Sequence, residues 1–178
     1  NYDAVIGALD IINSKKGLNI GARKITLSTC GIIKGIQRFS QVKEQYTLAI
    51  SLHAARQEVR DRIMPHASSQ PLSQLKEALR DYLDETNRRI TFEYTLIKGI
   101  NDSEADLKAL LSFVTGLLCH INLIQLNSIS DSPFQPSSSE TVSIWKRTIE
   151  QNGIETTIRL SKGSDISGAC GQLKNSRK

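Results

Sequence analysis

The chain has 178 residues, 39% hydrophobic and 23% charged, the composition expected of one globular domain with its own core. No apolar run approaches the ~18 residues of a membrane span, and no secretory or transit signal is present. The net charge of +5 suits an RNA or phosphate partner, while three scattered cysteines fit a reducing cytoplasm better than a disulfide framework.

The elements follow in order. Residues 3–12 place Val5, Leu9 and Ile12 on one helical face, and Lys15-Lys16-Gly17 ends that helix. Residues 24–29 read as a strand, followed after Cys30-Gly31 by a short helix carrying Ile36 and Phe39. A second strand runs from Tyr46 to Ser51, and a short helix over Gln57–Ile63 stops at Pro65. A longer helix starts at Pro71 as its first-turn residue, with Leu72, Leu75, Leu79 and Leu83 as its stripe. Ile90 to Ile97 is the third strand. Asn101-Asp102-Ser103 caps a helix with the stripe Leu107, Leu110, Leu111, Val114 and Leu118. Ile121 to Leu126 is the fourth strand, and Ser128 to Ser139 an exposed loop. Ser137 and Glu140 have capping-box spacing and open a helix with Val142, Trp145 and Ile149 inside, ended by Asn152-Gly153. Glu155 to Leu160 is the fifth strand.

Helices alternating with strands predict an α/β fold, a parallel sheet of right-handed βα units. Five strands are too few for a closed eight-stranded barrel, so the expectation is a partial (βα) barrel. The chain opens on a helix without an initiator Met and reads as a piece of a longer protein, truncated at its N-terminal side. The strand at 24–29 then exposes an edge that the full protein covers.

Parallel α/β sheets bind ligands at the carboxyl ends of their strands. Those ends are Ser28-Thr29-Cys30, Ser51-Leu52-His53, Gly99 to Asn101, and Asn127. Their hydroxyl, imidazole and amide groups suit a polar cofactor with ribose hydroxyls and an amino-acid head. Each also has a plain structural reading, as a strand-end or turn residue. Glu93 is the one acid in an apolar strand and either faces the barrel interior and binds something or pairs with a base. His66 and His120 read as loop and strand-start residues. Cys170 sits between Gly168, Ala169 and Gly171, small neighbours that leave its sulfur open, although a free cysteine is often a small buried hydrophobe. There is no Walker loop, dinucleotide fingerprint or closely spaced cysteine pair that could hold a metal unaided.

Together the motifs are far more specific than any one of them. They are Gly17-Leu18-Asn19-Ile20-Gly21-Ala22-Arg23-Lys24-Ile25-Thr26-Leu27-Ser28-Thr29, Ala49-Ile50-Ser51-Leu52-His53-Ala54, Arg60-Asp61-Arg62-Ile63-Met64-Pro65, Gly99-Ile100-Asn101-Asp102, Ile121-Asn122-Leu123-Ile124 and Ala169-Cys170-Gly171-Gln172-Leu173. In this order they resemble the radical SAM RNA methyltransferases of the RlmN/Cfr family over essentially the whole chain. The resemblance implies that residues 1–178 are the carboxy-terminal part of a radical SAM core domain with a TIM-barrel-like fold. It implies methylation of an adenosine ring carbon, C2 rather than C8, in large-subunit rRNA and also tRNA, in a cytoplasmic enzyme that is a monomer when full length. Cys170 matches the cysteine that is methylated by one S-adenosylmethionine. A second S-adenosylmethionine is cleaved at a [4Fe-4S] cluster fed by an electron donor, and the radical formed activates the methylated sulfur. Ser28, Ser51, Leu52, His53 and Asn127 match the residues lining the S-adenosylmethionine site.

The sequence departs from the family at Gln125-Leu126, where proline and an aromatic are usual, and at Cys30. The cluster cysteines, a Gly-Glu-Pro motif, the resolving cysteine and the amino-terminal RNA-binding region all match nothing here, so the expectation is that this piece alone is inactive. Two other classes compete. One is a non-catalytic RNA-binding or assembly module. The other is a barrel enzyme acting on a phosphorylated metabolite, for which Gly163 and Gly168 would supply the phosphate turn.

Overall fold

The computed structural model describes residues 1–127 and 132–159. Within them, helices α1 (Tyr2–Asn13), α2 (Ile33–Phe39), α3 (Gln57–Ile63), α4 (Leu72–Thr86), α5 (Glu104–Val114) and α6 (Ser139–Gln151) alternate with strands β1 (Thr26–Thr29), β2 (Thr47–Ser51), β3 (Ile90–Leu96), β4 (Cys119–Gln125) and β5 (Thr156–Arg159). All four ladders are parallel, in the order β1-β2-β3-β4-β5. Each crossover therefore steps the same way, and right-handed connections put the helices on one face. An open part of a parallel barrel results, as the alternation predicts.

The sheet is sided as a consequence. Strand residues alternate in direction. Leu48, Ile50, Phe92, Tyr94, Ile121 and Leu123 face outward and join Phe39, Leu75, Leu79, Leu110, Trp145 and Ile149 of the helices in one buried core. The other set, including Ser28, Ser51, Glu93, Thr95, Asn122 and Arg159, forms a more polar and more open inner face. Each fully buried leucine in the outer core stabilises the fold by roughly 1.5–3 kcal/mol. Both β1 and β5 are edges among the described residues. Beside β1 an open cleft is lined by Tyr2, Val5, Leu27, Ile32 and Ile36, so an edge is present, but its strand begins at Thr26 rather than Lys24 because Ala22–Lys24 form a 3-10 turn.

Several local expectations shift. Pro71 occupies the position before α4, with extended ψ of 138°, and the helix begins at Leu72. Leu118 lies beyond α5 and is exposed, because Thr115 and Gly116 (φ 80°) have already ended the helix. Ser103 alone caps α5, in a capping box with Asp106. Ser137 does not cap α6. Its neighbour Ser138 accepts the Thr141 N–H at 3.1 Å, while Ser137 is buried and donates to Asp102 Oδ2 at 2.7 Å. β4 begins two residues earlier than expected, at Cys119. The fifth strand reaches Arg159, and Leu160 lies outside the described residues.

Candidate functional site

Because the strands are parallel, their carboxyl ends share one rim. Ser28 stands on the inner face of β1, exposed, with its Cα paired to Ala49. Ser51 closes β2 on the same face, half-buried and opposite Glu93 of β3. Asn127, also half-buried, comes two residues after β4. Leu52 differs, since its side chain is fully buried in the outer core. It can meet a ligand only through its backbone, whose N–H already donates to the Glu93 carbonyl at 3.0 Å. The fold thus gathers Ser28, Ser51 and His53 at the ends of adjacent strands, with Asn127 on the same rim. Cys170 lies outside the described residues.

His53 is the most constrained of these. Its φ is 52°, and Ala54 N–H donates to the Leu52 carbonyl at 2.7 Å across it, closing a γ-turn. Such a conformation costs on the order of 1 kcal/mol and persists only where neighbours enforce it. Here they do. His53 N–H donates to the Glu93 carbonyl at 3.2 Å, and its own carbonyl accepts from Asn101 Nδ2 at 2.7 Å. Nδ1 accepts the Thr95 N–H at 3.1 Å, where β3 has run past the end of β2. A backbone N–H can only donate, so Nδ1 carries no proton and the neutral ring holds its hydrogen on Nε2. Burial, aided by the positive charge of Arg60, lowers the His53 pKa to about 4. At neutral pH this group is a fixed hydrogen-bond donor rather than a proton shuttle.

That depression has a signed consequence. Between pH 6.5 and about 4 the unfolded chain takes a proton at this position and the folded chain does not, so stability is lost as pH falls through that window. The contribution is roughly 3 kcal/mol across the full window. Urea unfolding of wild type and His53→Gln at pH 7 and pH 4.5 checks this. The wild type is expected to lose more stability than the variant; equal losses would exclude His53 as the source.

Three further groups build the rim. Asn101, fully buried, accepts the Ile97 N–H through Oδ1 and donates from Nδ2 to the His53 and Thr95 carbonyls, each at 2.7 Å. Its own carbonyl accepts from the Tyr94 hydroxyl at 2.9 Å. The sequence placed Asn101 only at a strand end and a helix cap; its hub role was discernible in that the β3 backbone needs partners after its ladder ends. Glu93 lies on the inner face and pairs with a base, Arg159, whose Nη1 stands 3.4 Å from its carboxylate. Arg60 is buried without an acidic partner among the described residues, and nothing local separates it from Arg56 and Arg62. At the opposite end of the inner face, His120 Nε2 lies 2.9 Å from Asn122 Oδ1 and 3.1 Å from Thr157 Oγ1, a structural cluster away from the rim.

Among the described residues, no group of three or more His, Cys, Asp or Glu side chains could hold a metal ion. No helix among them is long and apolar enough to cross a membrane.

No protein-family model matches the chain. Curated relatives do. The chain is 51% identical over 174 residues to a protein of Clostridium novyi (strain NT) named a probable dual-specificity RNA methyltransferase RlmN, an alignment spanning 98% of this chain and 51% of that protein. It is 44% identical over 178 residues to the protein of the same name from Clostridioides difficile (strain 630), covering 52% of it. The crystal structure of a radical SAM methyltransferase from Sphaerobacter thermophilus superposes with a TM-score of 0.92 at 42% identity, covering 97% of this chain and 50% of that one. A domain of pyruvate-formate lyase-activating enzyme from Bacteroides vulgatus, at 17% identity and a TM-score of 0.64, shares the fold. The chain spans about half the length of the curated relatives it matches. Across that half it matches RlmN proteins and a radical SAM methyltransferase along almost its whole length, as its motifs imply.

Proposed function

We propose that residues 1–178 form the carboxy-terminal part of the core of an S-adenosylmethionine-dependent RNA methyltransferase, which uses Cys170 to carry a methyl group to a ring carbon of adenosine. The expected position is C2, in large-subunit rRNA and in tRNA. The observation that carries this reading is the meeting of Ser28, Ser51 and a locked, neutral His53 on one rim of a sided sheet. The relatives' names and the chain's match to them support it.

The rim's donor set fits S-adenosylmethionine. Two serine hydroxyls and an Nε2–H donor answer ribose hydroxyls, a carboxylate and ring nitrogens with neutral hydrogen bonds. Ser28, Ser51, His53 and Asn127 would hold it, with Leu52 contributing backbone alone. Bound there, it would supply the methyl group and the radical chemistry of this class. This chain's own residues orient it: the γ-turn at His53 aims the imidazole, and Asn101 ties that turn to β3. The described residues do not fit the iron–sulfur cluster, and its ligands are assigned to the preceding half of the full-length enzyme. On this reading the whole enzyme is cytoplasmic and monomeric, takes electrons from a separate donor, and is active where this half alone is not.

The test is direct. The full-length enzyme is incubated with S-adenosylmethionine, a reductant and unmethylated 23S-type rRNA or tRNA, and the nucleosides are analysed by mass spectrometry. The expected product co-elutes with 2-methyladenosine. 8-Methyladenosine would reassign the carbon, and methylation at nitrogen or none at all would reject the reading.

A further inference from the structure

Arg60 in α3 is fully buried. Its Nη2 donates to the Cys30 carbonyl at 2.7 Å, and its Nη1 to the carbonyls of Ala67 and Gln70 at 3.3 Å each. Its Nε is buried with no hydrogen-bond partner. A charge in such a place is costly unless geometry compensates, and three carbonyls without a carboxylate compensate only in part.

Those carbonyls belong to two different connections. Cys30 lies in the turn that leaves β1, directly after Ser28 and Thr29, while Ala67 and Gln70 lie between α3 and α4. The first turn is pressed onto the guanidinium. Thr29 Oγ1 accepts from Gly31 N–H at 3.2 Å and from Ile32 N–H at 3.4 Å, and Gln70 Oε1 accepts the Ile33 N–H at 2.9 Å. Gly31 has φ of 89°, and a Cβ there would stand 3.2 Å from Arg60 Nη2 and 3.0 Å from Leu75 Cδ2. Its positive charge also adds to burial in holding the His53 pKa low, at the end of β2.

We propose that Arg60 is a positioning residue for the candidate cofactor site. It locks the turn after Ser28 to the helix that follows His53, so that the ends of β1 and β2 face one ligand as a unit. This rests on the reading of that rim as the S-adenosylmethionine site. The charged group acting on His53 among the described residues is Arg60, from α3. From β3 and the connection after it come the Thr95 N–H and the Asn101 amide, both uncharged.

Arg60→Lys, which keeps charge but loses the fork, and Arg60→Met, which loses both, are made in the full-length enzyme. Two quantities are read: the His53 midpoint from imidazole NMR titration, assigned with His53→Gln, and S-adenosylmethionine affinity by calorimetry. Arg60→Met is expected to move the His53 midpoint upward but short of 6.5, since burial remains, and Arg60→Lys to leave it low. Both are expected to weaken S-adenosylmethionine binding on the order of tenfold, raising KM more than they lower kcat. Wild-type affinity in either variant, or an unmoved His53 in folded Arg60→Met, overturns the proposal. If Arg60→Met does not fold, the affinity of Arg60→Lys decides alone. A wild-type enzyme that fails to bind S-adenosylmethionine rejects the cofactor reading instead, and the His53 titration then judges Arg60 by itself.

Discussion

Cys170→Ala in the full-length enzyme is expected to abolish methyl transfer to RNA while leaving S-adenosylmethionine binding in place. An adenine ring carbon is a poor nucleophile for direct transfer, so the methyl group needs a carrier, and a thiolate is the side chain best able to take and release it. Reach is not an obstacle. Cys170 follows Arg159 by eleven residue steps, a chain length of at most ~40 Å, whereas β5 and β1 stand four strand spacings apart, roughly 19 Å. The other cysteines make poor substitutes. Cys119 is buried on the outer face, and burial pushes its thiol up to about 11. Cys30 is half-buried, with its carbonyl held by Arg60. Cys170→Ser is expected to be equally inactive and Cys119→Ala to remain active. Transfer of labelled methyl from S-adenosylmethionine to protein and to RNA measures both steps, and turnover by Cys170→Ala would refute the carrier role.

Asn101→Ala is expected to be the most destabilising change at the rim. It strips a partner from the Ile97 N–H and from the His53 and Thr95 carbonyls, at a residue with no exposed surface. Each buried polar group left unmet costs about 1–3 kcal/mol, and the three together roughly 3–5 kcal/mol after partial relaxation. For a chain of this size that corresponds to a fall in Tm of about 10 °C. Asn101→Asp keeps the acceptor for Ile97 but turns a carboxylate oxygen toward two carbonyls, and is expected to be no better. Thermal unfolding followed by circular dichroism reads this out. A shift of only a degree or two for Asn101→Ala would refute its role as a stabilising hub. The His53 γ-turn loses its anchor in the same variant, so S-adenosylmethionine affinity is expected to fall with stability.

Much of this was legible before any coordinates. Alternating helical and strand periodicity identified the parallel βα order, because every helix has an apolar stripe and every strand an abrupt polar end. Ser28, Ser51 and His53 stood out for the same reason, since they occur where an apolar run stops. What escaped was set by contacts distant in sequence. Ser137 and Ser138 look alike to a capping rule, and only the tie from Ser137 to Asp102, 35 residues away, separates them. Glu93 was conspicuous as a lone acid, but its partner Arg159 is 66 residues further on. Arg60 stood only inside a motif, because two arginines on a seven-residue helix, with a third just before it, say nothing about which is buried.

The sequential strand order also bears on how the molecule is made. Each ladder joins a strand to the next one synthesised, at register offsets of 21 to 42 residues, so no strand waits for a distant partner. Contacts of this modest separation favour early, stepwise assembly as the chain leaves the ribosome. Ser28, Ser51, His53 and Asn101 are then in place, and their platform paired, before Cys170 is translated. On the proposed function, the carrier cysteine is made only after the residues that would hold its methyl donor.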